Sequence, residues 1–251
     1  MFRIVNDHSQ AMITARNQIH SPHRDSQLKL PEKAIVFFMS KAIDYLKENQ
    51  DVIQMEALFP RFLNKCPIYE IKDLNICFLD GGRGAPQAVD TIETLKALGV
   101  KTVISVGMCG AYASCITIGD ILIPRKAFVE EGTSLHYYEQ IEYARPNFEL
   151  YKKAMSLLKA KDDPIVSVDA IYRQTVNKER LWIQKGAVGV DMETSALFSV
   201  GKYLDMDVVA LLLVSDLHGV NAKNKKWQWA VTDKMRYEFV DQVIELVKHY
   251  E

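Results

Sequence analysis

The sequence predicts an α/β protein with a buried sheet covered by helices, and two segments carry that prediction. Residues 186–216, GAVGVDMETSALFSVGKYLDMDVVALLLVSD, have the pattern of a strand, a helix and a second strand. The second strand, residues 208–214, is an unbroken apolar run, which is typical of a strand buried on both faces of a parallel sheet. Residues 77–106 repeat the pattern, with a glycine-rich turn between the first strand and the helix.

Composition limits the class of protein. The chain has 251 residues, 48% apolar and 25% charged, which is ordinary for a globular protein with a sizeable core. A net charge of -1 gives no reason to expect nucleic acid or an anionic membrane as a partner. The four cysteines have no zinc or redox spacing, and no apolar run approaches membrane-spanning length. We therefore expect a cytoplasmic protein with free thiols, no metal, and one domain over residues 1–251, with 1–32 as a polar arm.

The first half of the chain supplies strands and helices in turn. A helix begins at Ser40, which is placed to cap it, and a later helix begins near Pro86 and ends at Gly99. The predicted elements are a strand at 34–39, a helix at 40–49, a hairpin at 69–79, a helix from about 86 to 98 and a strand at 100–106.

The second half continues the alternation. Residues 128–138, FVEEGTSLHYY, are polar and aromatic, and we expect a loop over the site. The predicted elements are strands at 121–124 and 165–170, helices at 147–159 and 177–185, the segment 186–216 described above, and a helix at 231–249. Trp227, Trp229, Met235 and Phe239 are interpreted as a C-terminal helical face that packs in the core or against another subunit.

Two glycine-bearing turns follow strands. Gly82, Arg83 and Gly84 precede a helix start, so their N–H groups and the helix dipole favour an anion. The turn is neither G-x-G-x-x-G nor a Walker motif, and taken alone it is better explained as a tight turn between strand and helix. Gly107–Gly110 end the next strand, which strengthens the functional interpretation because both turns would meet at one edge of the sheet.

Two carboxylates, Glu193 and Asp216, also stand where strands end, and ligands of open α/β sheets bind at that edge. One carboxylate can accept hydrogen bonds from two adjacent hydroxyls, so Glu193 suits the 2′ and 3′ oxygens of a ribose, with Met192 packed against the sugar. Asp216 would share a proton with a leaving group, a role that needs a raised pKa or a favourable hydrogen bond. The structural alternatives are a glutamate that starts a helix and an aspartate that caps a turn. We favour function for the pair, which we place on adjacent strands.

Further candidates lie in loops. Tyr172 offers an aromatic face for a flat base, although aromatic residues more often belong to the core. Arg173 is a candidate anion or base contact, with a surface role equally open. His136 is a weaker loop candidate.

With these residues in view, the chain resembles the nucleoside phosphorylase/uridine phosphorylase superfamily from about residue 35 to 250. The resemblance rests on GRGAP, VGMCGAY, ITIGDILIP, EGTSLHYY, SVDAIYRQT, GVDMETSALF and LLVSD in that order. It implies a mixed sheet that forms a distorted barrel flanked by helices, a single-domain, three-layer architecture. It also implies a homo-oligomer, such as a dimer or a hexamer, whose active sites are shared between subunits.

The resemblance assigns roles residue by residue. Glu193 corresponds to the ribose-binding glutamate, Met192 to the methionine beneath the sugar, and Asp216 to the aspartate that protonates a purine base. Gly84 belongs to the turn that helps to hold phosphate. The other substrate contacts that we expect are Ile171, Tyr172, Arg173, Cys109 and Gly110, with Gly82 and Arg83 beside the phosphate.

The departures from the family pattern concern phosphate. The N-terminal Gly-Asp-Pro-x-x-Arg motif is absent, Ser105 replaces the usual arginine and Met108 replaces the usual serine or threonine. Arg83, Lys41 or a neighbour's Arg24 would have to supply positive charge.

Three functions therefore stay open: a phosphorylase that uses phosphate as co-substrate and no cofactor, with purine nucleosides slightly favoured over uridine; a nucleosidase that uses water; and a nucleoside binder without catalysis.

Overall fold

A computed structural model describes residues 9–21, 28–219 and 226–250. Within these ranges the chain forms twelve strands and seven α-helices. The strands are β1 (Lys33–Phe37), β2 (Val52–Gln54), β3 (Ile68–Ile71), β4 (Ile76–Asp80), β5 (Thr102–Ala111), β6 (Ile121–Leu122), β7 (Ala127–Glu130), β8 (Tyr143–Ala144), β9 (Ile165–Val168), β10 (Gly189–Asp191), β11 (Asp207–Leu217) and β12 (Gln228–Trp229). The helices are α1 (Ala15–Ile19), α2 (Ala42–Asn49), α3 (Ala85–Ala97), α4 (Phe148–Leu157), α5 (Val176–Gln184), α6 (Thr194–Tyr203) and α7 (Asp233–Lys248).

All twelve strands belong to one mixed sheet. Nine of them follow the order β2-β3-β4-β1-β5-β10-β9-β7-β8, and β11 pairs with β5, β6 and β12. The predicted fold class, a mixed α/β sheet flanked by helices, is confirmed. The recorded pairings among the described residues leave the sheet open rather than closed into a ring.

Strand β5 changes partner along one of its edges. Its first half, residues 102–106, pairs in parallel with β1, and its end, Gly110 and Ala111, pairs with the antiparallel strand β10. The other edge pairs in parallel with β11 along the whole strand. Residues 107–109 therefore lie between the end of one partner and the end of the other. In α/β sheets a change of this kind opens a crevice in which ligands bind.

Side-chain alternation along the strands builds a core on each face of the sheet. Ala34 and Val36 of β1 belong to one apolar cluster, which α3 and α6 complete. Ile35 and Phe37 belong to the other cluster, which α2, α4 and α7 complete. The result is the helix–sheet–helix layering that the resemblance implied.

Two local predictions are wrong. Ser40 does not cap α2, because Lys41 takes the N-cap position in a left-handed conformation with φ 69° and makes no side-chain capping bond. Trp227 and Trp229 lie outside the C-terminal helix, where Trp229 ends β12 and both rings are largely exposed. In the described part of the N-terminal arm, α1 packs on α3 and buries Ile19.

Residues 9–21, 28–219 and 226–250 contain neither a membrane-spanning helix nor a cluster of metal ligands. None of their helices combines the length and apolar character needed to cross a bilayer. No group of three or more His, Cys, Asp or Glu side chains in these ranges could hold a metal ion.

Candidate active site

Glu193 lies near the point where β5 changes partner from β1 to β10. It stands two residues after the end of β10 and occupies the N-cap position of α6, yet its side chain makes no capping bond to that helix. Instead Oε1 accepts a hydrogen bond of 2.6 Å from the N–H of Gly84, 109 residues away. The helix-starting role therefore does not explain this glutamate, and the contact joins it to the predicted glycine turn.

The N–H groups of that glycine turn all point to side-chain oxygens. Asp80 Oδ1 accepts from Gly82 at 2.8 Å, Gln87 Oε1 accepts from Arg83 at 2.7 Å, and Glu193 accepts from Gly84. Gly82 and Gly84 have φ of 83° and 79°, a left-handed backbone that glycine adopts at little cost. All three N–H donors of the turn thus have oxygen acceptors within the chain.

Burial sets the protonation of Glu193. The residue is 9% exposed, and burial together with the neighbouring Asp191 carboxylate raises its pKa to about 7. Hydrogen bonds from the Gly84 and Met192 N–H groups oppose that shift. Glu193 is therefore only partly ionised at neutral pH, and donors from a ligand would favour its charged form.

A buried hydrogen-bond network around Asp191 lies next to Glu193. Asp191 Oδ1 accepts a hydrogen bond from Ser167 at 2.5 Å, and Oδ2 accepts from the N–H of Thr194 at 3.0 Å. Burial raises the pKa of Asp191 as well. The network fixes the turn between β10 and α6, and with it the direction of Glu193.

Asp216 lies on the other edge of β5. Its backbone pairs with Gly110, and Gly110 pairs in turn with Val190 of β10. The prediction that the two carboxylates belong to adjacent strands is wrong, because β5 lies between β10 and β11. Two strand spacings amount to about 10 Å, a width that a nucleoside could span.

Side-chain donors surround the Asp216 carboxylate. Ser215 donates to Oδ1 at 2.6 Å, while the Trp227 indole N–H at 2.7 Å and the His218 imidazole at 3.0 Å contact Oδ2. None of these bonds caps a turn, so the structural alternative for Asp216 also fails. Burial opposes ionisation, but these three hydrogen bonds outweigh it and lower the pKa of Asp216. Of the two conditions predicted for Asp216 from the sequence, a raised pKa is not met, whereas hydrogen bonds to the carboxylate are present, and the carboxylate is ionised at neutral pH.

His218 and Glu179 complete this side of the site, and the sequence did not single them out. His218 Nδ1 lies 2.5 Å from Glu179 Oε1, so the imidazole stands between two carboxylates. Glu179 belongs to α5 and is 39 residues from His218, so no local spacing reveals the pair. His218 itself was within reach of sequence reasoning, because it stands two residues after Asp216.

Residues of β5 connect the two carboxylate groups. Cys109 is 2% exposed, and burial and the charges of Asp191 and Asp216 raise its pKa well above the usual thiol range. A Cβ on Gly110 would stand 2.6 Å from His218 Nε2 and 3.0 Å from Asp216 Oδ2. Gly110 is therefore required for the close approach of His218 and Asp216 to β5.

Other predicted contacts lie apart from this cluster. The Tyr172 side chain is 96% exposed and Ile171 is 54% exposed, so the interpretation of Tyr172 as a core residue is excluded. Both belong, with the exposed Arg173, to a 3-10 turn after β9. Their contact with a base stays a prediction. His136 is likewise exposed.

The candidate phosphate ligands carry little free charge. Arg83 Nη1 donates to Asp80 at 3.1 Å, and Lys41 is paired with Asp233. Ser105 is buried in β5, and Met108 packs against the core on the face of α2 and α7. Arg24 lies outside the described residues.

One cavity lies away from all of these residues. It measures about 650 Å³ and opens between β8, the end of α6 and the start of β11. Tyr138, Arg145 and Lys202 are among its lining residues, and none of the predicted site residues lines it.

Comparisons with known proteins give a consistent result. The family model of the phosphorylase superfamily matches residues 34–250. A DeoD-type purine nucleoside phosphorylase of Clostridium novyi (strain NT) is 31% identical over 142 residues, which cover 54% of this chain and 61% of that protein. A guanosine phosphorylase of Halorubrum lacusprofundi is 31% identical over 140 residues, which cover 53% of this chain and 57% of that protein. The chain thus spans about three fifths of the length of the curated relatives it matches.

A solved structure agrees on the fold. The crystal structure of uridine phosphorylase from Vibrio fischeri ES114 superposes with a TM-score of 0.68 and 22% sequence identity, over 87% of this chain and 90% of that one. At this identity the likeness shows the fold alone.

Proposed function

The chain belongs to the phosphorylase superfamily, and we propose from this premise that it cleaves the N-glycosidic bond of a purine ribonucleoside by phosphorolysis, releasing the base and ribose 1-phosphate. The observation that carries the proposal is the contact of Glu193 with Gly84. It joins a buried glutamate, a glycine turn and the opening beside β5 at one point.

Glu193 would orient the sugar. Each carboxylate oxygen can accept more than one hydrogen bond, so a bond from Gly84 leaves room for the 2′ and 3′ hydroxyls. Met192 is partly exposed directly beside it and would contact the sugar face. Orientation of this kind holds C1′ in line between the leaving base and the nucleophile.

Asp216 would act on the base from the other edge of β5. As the glycosidic bond breaks, positive charge develops on the sugar and the electron pair moves to the base. An acidic group beside a ring nitrogen stabilises that base through a hydrogen bond or a proton. The preference for purines is supported by the Ser215–Asp216 pair and by the purine and guanosine phosphorylases among the relatives.

Hydrolysis is the second candidate, and a specific observation favours it. Arg83 and Lys41 are both paired with carboxylates, while Ser105 and Met108 bring no charge. A phosphate dianion needs positive charge or several N–H donors, and the donors of the glycine turn already have acceptors in the chain. If phosphate cannot displace them, water is the nucleophile.

The reaction itself distinguishes the two. The full-length protein is incubated with inosine, guanosine, adenosine and uridine, with and without phosphate, and both free base and sugar product are measured. If the reaction is phosphorolysis, release of the base depends on phosphate and the sugar product is ribose 1-phosphate. Equal base release in phosphate-free buffer, with free ribose as product, would replace the proposal with hydrolysis.

If no nucleoside releases its base, the third hypothesis, a nucleoside-binding protein without catalysis, is favoured. Nucleosides would then raise the Tm of the protein without being consumed.

A further inference from the structure

His218 stands between two carboxylates in a mostly buried cluster. Its side chain is 14% exposed, while those of Glu179 and Asp216 are 7% and 9% exposed. Both ring nitrogens face a carboxylate oxygen, at 2.5 Å and 3.0 Å. A carboxylate accepts hydrogen bonds and does not donate them, so the arrangement is satisfied when both nitrogens carry protons.

The charges around the ring favour the imidazolium. Burial lowers the pKa of His218, but hydrogen bonds and charge from Asp216 and Glu179 outweigh it and raise the pKa to about 9. Among the described residues, the other titratable groups near the ring are Tyr112, whose ring centre lies 6.4 Å away, and Cys109, which interacts electrostatically with Asp216. Burial raises the pKa of both, so they stay neutral. Protonated His218 therefore stands beside the ionised carboxylate of Asp216 at neutral pH.

Asp216 cannot supply a proton of its own under these conditions. Its pKa is lowered, and its oxygens already accept from Ser215, Trp227 and His218. The only protonated acid in contact with it among the described residues is the imidazolium of His218. A nucleobase that leaves beside Asp216 must therefore receive its proton from another group, and the His218 imidazolium is the adjacent candidate.

For the reaction proposed above, on which this inference rests, we propose that His218 is the proton reservoir for the leaving base and that Glu179 holds its ring in place. As the glycosidic bond breaks, its electron pair goes to the base, and a ring nitrogen of the base gains a proton through the Asp216 carboxylate. The Nε2 proton of His218 moves to that carboxylate, and its bonding pair remains on the nitrogen. One proton is thus transferred in total, and neutral His218 keeps its Nδ1–H bonded to Glu179. Solvent restores the proton after the products leave.

The test compares two substrates in the parent and in His218→Asn. Inosine needs a proton on its base. A purine nucleoside methylated at N7, such as 7-methylguanosine, carries positive charge on the base before the bond breaks and needs none. We expect His218→Asn to lower kcat/KM for inosine by about 10²- to 10⁴-fold and for 7-methylguanosine by only a few-fold. An equal loss on both substrates, or no loss on inosine, would overturn the role of His218.

Glu179→Gln provides a second variant that keeps the side-chain shape. Since it removes one negative charge next to the ring, the alkaline limb of kcat/KM for inosine, expected near pH 9 in the parent, should move down by at least about one pH unit. Glu142→Gln, an exposed glutamate paired with Lys185, is the matched control and should leave the limb in place. An unmoved limb in Glu179→Gln would contradict the proposal even if His218→Asn fails to fold.

The outcomes separate the two proposals. A parent protein that cleaves neither substrate refutes the proposed function, and the role of His218 with it. A parent that cleaves both, with variants that treat both substrates alike, refutes the role of His218 alone.

Discussion

Glu193 and Asp216 lie on opposite sides of β5, and different kinds of donor reach them. Backbone N–H groups of Gly84 and Met192 contact Glu193, whose pKa is raised to about 7 by burial and the nearby Asp191. Side chains of Ser215, His218 and Trp227 contact Asp216, whose pKa is lowered. Two carboxylates with similarly low exposure thus have opposite protonation tendencies, a difference of the kind that enzymes use to give two acidic groups separate roles.

The two pKa shifts differ in direction because the two carboxylates exchange their hydration for different hydrogen bonds and neighbouring charges. Asp216 gains a cation and two further donors, which exceed the cost of burial. Glu193 gains two N–H bonds but has a second carboxylate beside it, and burial dominates. Asp216 therefore stays charged without a ligand. Glu193 becomes charged most readily when a ligand donates hydrogen bonds to it.

The largest expected effect is the loss of activity in Glu193→Ala. Two hydrogen bonds from sugar hydroxyls to a charged acceptor contribute about 1.5–3 kcal/mol each. We therefore expect kcat/KM for a purine nucleoside to fall by about 10²- to 10⁴-fold, as measured by steady-state base release. Glu149→Ala, an exposed glutamate on α4, is the matched control and should keep parental kinetics. Parental kinetics in Glu193→Ala would remove this residue from the site.

Next in size is the effect of pH on the stability of Glu193→Gln. The pKa of Glu193 is higher in the folded protein than in the unfolded chain, so its contribution is complete below about pH 4 and is lost as the pH rises through about 7. Glutamine keeps an acceptor for Gly84 and never ionises. At pH 8 the variant should be more stable than the parent, by on the order of 2–3 kcal/mol, and the gain should vanish below pH 4.

Denaturant unfolding at several pH values measures this difference. A stability difference that does not change between pH 4 and pH 8 would show that Glu193 ionises as readily in the folded as in the unfolded chain, and the contrast with Asp216 would fail.

A smaller effect is expected on the titration of His218 in Asp216→Asn. The parent imidazole has a pKa of about 9, raised by both carboxylates. Loss of one charge should lower that pKa by about one unit or more, as measured by NMR of the ring protons. Asp169→Asn, which alters a carboxylate bonded to Gly132, is the control. A His218 pKa that is unchanged in Asp216→Asn would mean that the two side chains are not in contact in solution.

The smallest effect is expected from Tyr172→Ala. The side chain is 96% exposed, so the free energy of unfolding should change by less than about 0.5 kcal/mol. A selective rise in KM for the nucleoside would support the predicted contact with a base, since stability would not account for it. A large loss of stability would show that Tyr172 is covered in the assembled protein.

The sequence predicted most of the layers because apolar periodicity is local. The hairpin of β3 and β4 and the buried strand β11 follow from alternation and from an unbroken apolar run. The cap of α2 was misplaced because Lys41 takes a left-handed backbone that nothing in the local sequence demands. The adjacency of β10 and β11 was misjudged because strand order depends on long-range pairing with β5.

The same limit applies to the site. Gly84, Glu193 and Asp216 stand at strand ends, so position in the chain indicated them. Glu179 was not singled out and Trp227 was assigned to a helical face, because the contacts of both residues with the cluster depend on tertiary structure. The lowered pKa of Asp216 depends on those contacts and was therefore out of reach.

A crystal structure with a purine nucleoside analogue that resists cleavage would test the central claim most directly. We expect the 2′ and 3′ hydroxyls within hydrogen-bonding distance of Glu193 and a nitrogen of the base within that distance of Asp216, in one continuous site across Gly110. An analogue bound in the cavity lined by Tyr138 and Lys202, or bound with either carboxylate facing away from it, would contradict the account.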